Sequence, residues 1–166
     1  MKASTLHPML APVRPEPRRS FLPTLLLTGH VRHPRQIDLA EMFELPRQEL
    51  GPTQVNCFTG RPVFSARSYA GVRLIDLLDL SGFSSQPRSE LKRCVVIAEG
   101  RDDYQAIFSW NELYNADAGQ GVLVVFERDG EPLAEPIGPL SLLATKDRQL
   151  GPRHLKGLRE IRVQLL

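Results

Sequence analysis

The run Cys94-Val-Val-Ile-Ala98 constrains this chain most. It is too short for a helix of useful length, and its β-branched, apolar content suits a strand covered on both faces. Gln105 to Phe108 predicts the neighbouring strand, reached across a turn at Arg101-Asp102-Asp103. Val122 to Phe126 predicts a third, closed by Asp129-Gly130, whose glycine supplies the positive backbone angle of a tight hairpin turn.

The rest of the chain adds more strands and a few short helices. Leu25-Leu26-Leu27 leads to Gly29 and predicts a strand that ends in a turn at His33-Pro34. Asp38 with Glu41 three residues later forms a capping box, opening a short helix that stops before Pro46, with Leu39, Met42 and Phe43 facing the core. Gln54 to Phe58 reads as a short strand that delivers Cys57 to its edge, after which Thr59-Gly60-Arg61-Pro62 must turn. A Gly71-Val72 turn then opens a helix from about Arg73 to Leu80, with Leu74, Ile75, Leu77 and Leu78 on its buried side and Gly82 as its stop. Ser109 and Glu112 fit a second capping box before Trp110 to Tyr114. Leu140 to Ala144 and Arg159 to Leu165 complete the strands, the last alternating through Ile161, Val163 and Leu165. No internal repeat is visible. Strands and helices do not alternate regularly, so the expected class is α+β, with mixed β-sheets and short helices.

A length of 166 residues fits one domain, expected over 24–166. Residues 1–23 hold Pro8, Pro12, Pro15, Pro17 and Pro23 beside Arg14, Arg18 and Arg19, and are expected to form an extended, mobile arm without a function of its own. A formal charge of +2 gives no electrostatic footprint for nucleic acid, so no nucleic-acid partner is expected. No stretch is apolar enough to span a bilayer and no secretory signal opens the chain, which implies a cytoplasmic location, or a periplasmic one if an export signal has been removed. Cys57 and Cys94 form no C-x-x-C pair, and His30 and His33 are the only close histidines, so no tetrahedral zinc site is expected.

Several residues carry chemistry by type. A thiolate such as that of Cys57 is a soft metal ligand, whereas a free cysteine is by default a small buried hydrophobe; both readings stand. Cys94, inside a strand, is expected in the core. Arg153, His154 and Lys156, with Lys146 and Arg148 upstream, collect cationic donors that suit a phosphate or else form a solvated basic face. Asp102 and Asp103 read as turn residues before they read as an acid/base pair. Gly119-Gln-Gly121 precedes a strand, which does not fit a dinucleotide loop. His30 and His33 read as surface turn residues.

Taken in order, Gln54-Val-Asn-Cys57, Ser68-Tyr-Ala-Gly-Val-Arg-Leu-Ile-Asp-Leu-Leu78, Asp129-Gly-Glu-Pro-Leu133, Gly138-Pro-Leu140 and Gly151-Pro-Arg-His-Leu-Lys156 resemble the molybdopterin-binding domain of the sulfite oxidase family, over about Leu25 to Val163. The resemblance implies that family's fold and a molybdenum-molybdopterin cofactor, with Cys57 as catalytic metal ligand and Arg153, His154 and Lys156 on the cofactor's phosphate. It also implies two-electron oxygen-atom transfer on a small substrate and an electron-transfer protein as partner. Trp110, Tyr69, Tyr104 and Tyr114 are then candidates to line a pocket for the planar pterin, or else core aromatics. The chain departs from the pattern at Asp103, where many relatives carry the glycine of Asp-Gly-Tyr. On this reading the Asn- and aromatic-rich segment that precedes the domain in large catalytic members and the C-terminal dimerisation domain of animal and plant sulfite oxidases are expected to have no counterpart in it. The alternative is a non-catalytic module that keeps the fold, has lost the metal, and binds a pterin, a small anion or a partner protein.

Overall fold

A computed structural model describes residues 22–166; the expected N-terminal arm lies almost entirely outside them. The elements run β1 (Thr24–Gly29), β2 (Arg35–Asp38), α1 (Leu39–Phe43), β3 (Gln48–Leu50), β4 (Thr53–Asn56), β5 (Pro62–Ala66), β6 (Tyr69–Arg73), α2 (Leu74–Leu80), α3 (Arg88–Leu91), β7 (Cys94–Gly100), β8 (Gln105–Ser109), α4 (Trp110–Tyr114), β9 (Val122–Arg128), β10 (Glu131–Pro132), β11 (Ser141–Ala144), β12 (Leu155–Lys156) and β13 (Leu158–Leu165). The first sheet has the order β2-β1-β13-β7-β8; β1 and β13 are parallel and the other pairs antiparallel. The second, antiparallel throughout, has the order β12-β11-β9-β6-β3, with β10 added to β9. β4 and β5 form a hairpin of their own. This is the expected α+β class with mixed sheets and short helices.

The alternation of side chains explains how the layers pack. In β1, Leu25 and Leu27 point inward; in β13, Ile161 and Val163 join them, with Val96 and Ala98 from β7. Val122, Val124 and Phe126 of β9 close on the same core, together with Leu74, Leu77 and Leu78 of α2. The intervening Leu123 and Val125 face the opposite way, into a smaller core with Val55, Ala66, Tyr69, Leu133 and Ile137. The second sheet is therefore buried on both faces, which is why β9 is apolar without interruption.

Local sequence sets the helix ends. Asp38 accepts from the Glu41 amide at 2.9 Å and Glu41 reaches back to the Asp38 amide, the full capping box. Ser109 Oγ accepts from the Glu112 amide at 3.1 Å, but the Glu112 carboxylate turns to Arg153, so only half of the second box forms. Gly82, at φ 71°, ends α2.

Three expectations change. Tyr69 to Arg73 is strand rather than turn, and Gly71 is needed because β9 passes close by: an added Cβ would stand 2.7 Å from the Val125 α-carbon. Phe43 is 57% exposed, with its ring edge on Phe126 at 5.1 Å, so only Met42 of α1 is fully in the core. The short strands β2, β3, β5, β10 and β12 add to those expected. Among the described residues no helix is long and apolar enough to cross a membrane.

Candidate functional site

The site forms where one run of chain serves both sheets. Leu155 and Lys156 pair with β11 at the edge of the second sheet, and Leu158 enters the first opposite Gly100. Gly157, at φ 56°, makes the crossing. The β4–β5 hairpin stands beside this run, pinned by Val55, which is 1% exposed. At its tip the Cys57 amide donates to the Arg61 carbonyl at 2.8 Å, and the Gly60 amide donates to the Cys57 carbonyl at 2.9 Å. The turn Gly151–Arg153 packs against that tip, since an added Cβ on Gly151 would meet the Asn56 carbonyl and the Cys57 α-carbon. The β7–β8 turn closes a third side: Asp103 sits at φ 62°, and the Tyr104 hydroxyl donates to the Pro152 carbonyl at 2.6 Å.

Between these walls lies a cleft of about 450 Å³, lined by Val55, Cys57, Phe58, Val63, Phe64, Asp102, Tyr104, Gly151, Pro152, His154 and Lys156. Cys57, His154 and Lys156 are thus brought together in one cleft. Cys57 is half-buried, and its Sγ lies 3.0 Å from Thr59 Oγ1, a hydrogen bond that lowers the thiol pKa. Cys57 is therefore not a core hydrophobe. Cys94 is: it is 1% exposed, and burial pushes its thiol up.

His154 is 8% exposed, with its ring edge on Phe64 at 5.5 Å and no hydrogen-bond partner for its Nε2. Burial, and then the charge of Lys156, bring its pKa down to about 4, so it is neutral near pH 7. The Lys156 ammonium lies 4.6 Å from the centroid of the Phe64 ring.

Arg153 departs from the expected phosphate cluster. Its guanidinium donates from Nε to Asp147 Oδ2 at 2.7 Å, from Nη2 to Asp147 Oδ1, and from Nη1 to Glu112 Oε1 at 2.7 Å, and it lies 4.4 Å over the Phe108 ring. It does not line the cleft, nor do Lys146 and Arg148. Of the four aromatic candidates only Tyr104 does; Tyr69 is buried in the smaller core, and Trp110 stacks on Tyr114 beside the main one. His30 bonds Glu90 at 2.8 Å, away from the cleft. Sequence reasoning missed Phe58 and Phe64. Phe64 stands in β5 opposite Val55 and Phe58 in the turn itself, and the hairpin brings both to the side of Cys57.

A protein-family model, the oxidoreductase molybdopterin binding domain, matches residues 21–165. The chain belongs to that family. No curated protein matches it. Among solved structures, the sulfane dehydrogenase SoxCD from Paracoccus pantotrophus matches with a TM-score of 0.62 and 19% sequence identity, over 84% of this chain and 37% of that one. At that identity the likeness speaks for the fold. The chain spans well under half of the SoxCD chain it matches.

The cleft of this oxidoreductase molybdopterin binding domain fits the family's cofactor on four counts. It offers a soft sulfur donor in Cys57, an unpartnered buried nitrogen in His154 and a cation in Lys156, and its volume is within the range of small-molecule sites. Among the described residues no three His, Cys, Asp or Glu side chains gather to hold a metal.

Proposed function

We propose that the cleft holds a molybdenum-pterin cofactor, with the Cys57 thiolate as the protein's ligand to the metal and Lys156 and His154 against the cofactor's phosphate. The observation that carries this reading is the shared cleft: a thiol with a lowered pKa opens into the same 450 Å³ space as a cation and a buried, unpartnered imidazole. When bound, the cofactor would supply two-electron oxygen-atom transfer to or from a small substrate, with electrons exchanged through a partner protein.

The chain's own residues prepare the site for that group. The Thr59 hydroxyl favours the thiolate, the form that binds metal. Lys156 carries a positive charge into a partly apolar cleft, where a charge acts more strongly than in bulk water. His154, neutral near pH 7, retains one N–H and one lone pair and so can either donate or accept. Phe58, Phe64 and Tyr104 line the cleft beside Val63 and offer aromatic faces to a planar ring.

The test is to produce the protein in a host that makes molybdenum cofactor and to measure molybdenum and pterin per chain. Near-stoichiometric metal that is lost in Cys57→Ser with the fold intact is the expected result. Folded protein from a competent host with neither metal nor pterin would overturn the reading in favour of a non-catalytic module.

A further inference from the structure

We propose that Arg153 is a positioning residue: clamped by Asp147 and Glu112, it fixes the Gly151–Arg153 turn against Cys57 and so shapes the cleft, rather than binding phosphate itself. The inference goes beyond the proposed function, because it stands on the chain's own contacts and its test needs no cofactor.

The clamp ties three parts of the fold together. Glu112 belongs to α4, where Ser109 Oγ holds its amide. Asp147 follows β11, and its amide donates to the Ala144 carbonyl at 3.1 Å. Arg153 joins both with a planar fork, an arrangement a single-point cation cannot reproduce. Its face rests on Phe108, a core side chain without solvent exposure, so the guanidinium is held from its edge and from one face. Two carboxylates also offset its charge, which leaves Lys156 as the cation of the cleft.

What the clamp holds is the turn that meets Cys57. Gly151 touches Asn56 and Cys57 with no space for a side chain, the Pro152 carbonyl accepts from Tyr104, and the His154 amide donates to the Gly151 carbonyl at 3.1 Å. A released turn must therefore loosen the packing at Cys57 and open the cover over His154.

The experiment compares Arg153→Ala, Asp147→Asn and wild type, all without cofactor. It reads the His154 ring by NMR titration, the rate of Cys57 alkylation by iodoacetamide, and the affinity for inorganic phosphate. The expected result is that Asp147→Asn acts like Arg153→Ala: His154 titration moves from about 4 toward 6.5, and Cys57 alkylation speeds up severalfold. A phosphate ligand predicts opposite signs, since Asp147→Asn frees the guanidinium and strengthens phosphate binding while Arg153→Ala weakens it. That outcome, or an unchanged His154 and Cys57 in Asp147→Asn, overturns the proposal. Should Arg153→Ala fail to fold, Arg153→Lys and Glu112→Gln carry the same comparison.

Discussion

Gly151 lies against the backbone of Cys57 so closely that an added Cβ would stand 3.1 Å from the Cys57 α-carbon and nearer still to the Asn56 carbonyl. Backbone cannot swing aside as a long side chain can. Gly151→Ala is expected to cost about 1–3 kcal/mol of stability by overpacking and to change the alkylation rate of Cys57. Denaturant midpoints and timed alkylation check both.

The two cysteines are expected to behave as opposites. Iodoacetamide should label Cys57 in the folded protein and spare Cys94 until unfolding, which mass spectrometry of the labelled peptides reads directly. Cys57→Ser should leave stability within about 0.5 kcal/mol, as surface changes do. Cys94→Ala, which empties a core position, should cost about 1 kcal/mol or more.

His154 makes stability depend on pH. Its folded pKa of about 4 lies below the ordinary 6.5, so the unfolded chain takes up the proton first as pH falls. The stabilisation is whole above about 6.5 and is lost progressively down to about 4. With a shift of this size the loss is on the order of 3 kcal/mol at most. His154→Gln should flatten that part of the profile, measured by urea unfolding at several pH values between neutral and 4.

Gly71→Ala tests the second sheet. The added methyl meets β9 backbone at the Val124 carbonyl and the Val125 α-carbon, so the strands must part or the sheet must bend. A loss of about 2 kcal/mol or more is expected; thermal unfolding of the variant beside wild type reads it.

Much of this architecture was legible in the sequence. The β7–β8 pair, the Asp129-Gly130 hairpin turn and the buried side of α2 follow from period and turn chemistry, which act over a few residues. Gly71 was misleading because a glycine that admits a neighbouring strand looks the same, in one dimension, as a glycine that makes a turn. Cys57, His154 and Lys156 were legible as a thiol and a basic cluster, and the fold brings them into one cleft. The role of Arg153 was not, because one of its partners, Glu112, lies 41 residues away in the chain and meets it only through α4. Charge alone marks a residue as a donor; its neighbours decide to whom it donates.

β13 follows both β1 and β7 in the chain yet lies between them in the first sheet. On the ribosome, β1 and β7 therefore emerge before the strand that joins them, and their facing edges stay unpaired until residues 158–165 follow. Such late, long-range closure makes for slow folding and leaves sticky edges in the nascent chain, the condition in which a chaperone is needed most. His154 and Lys156 immediately precede that strand, so their side of the cleft is completed only as β13 docks, well after the Cys57 side has been made.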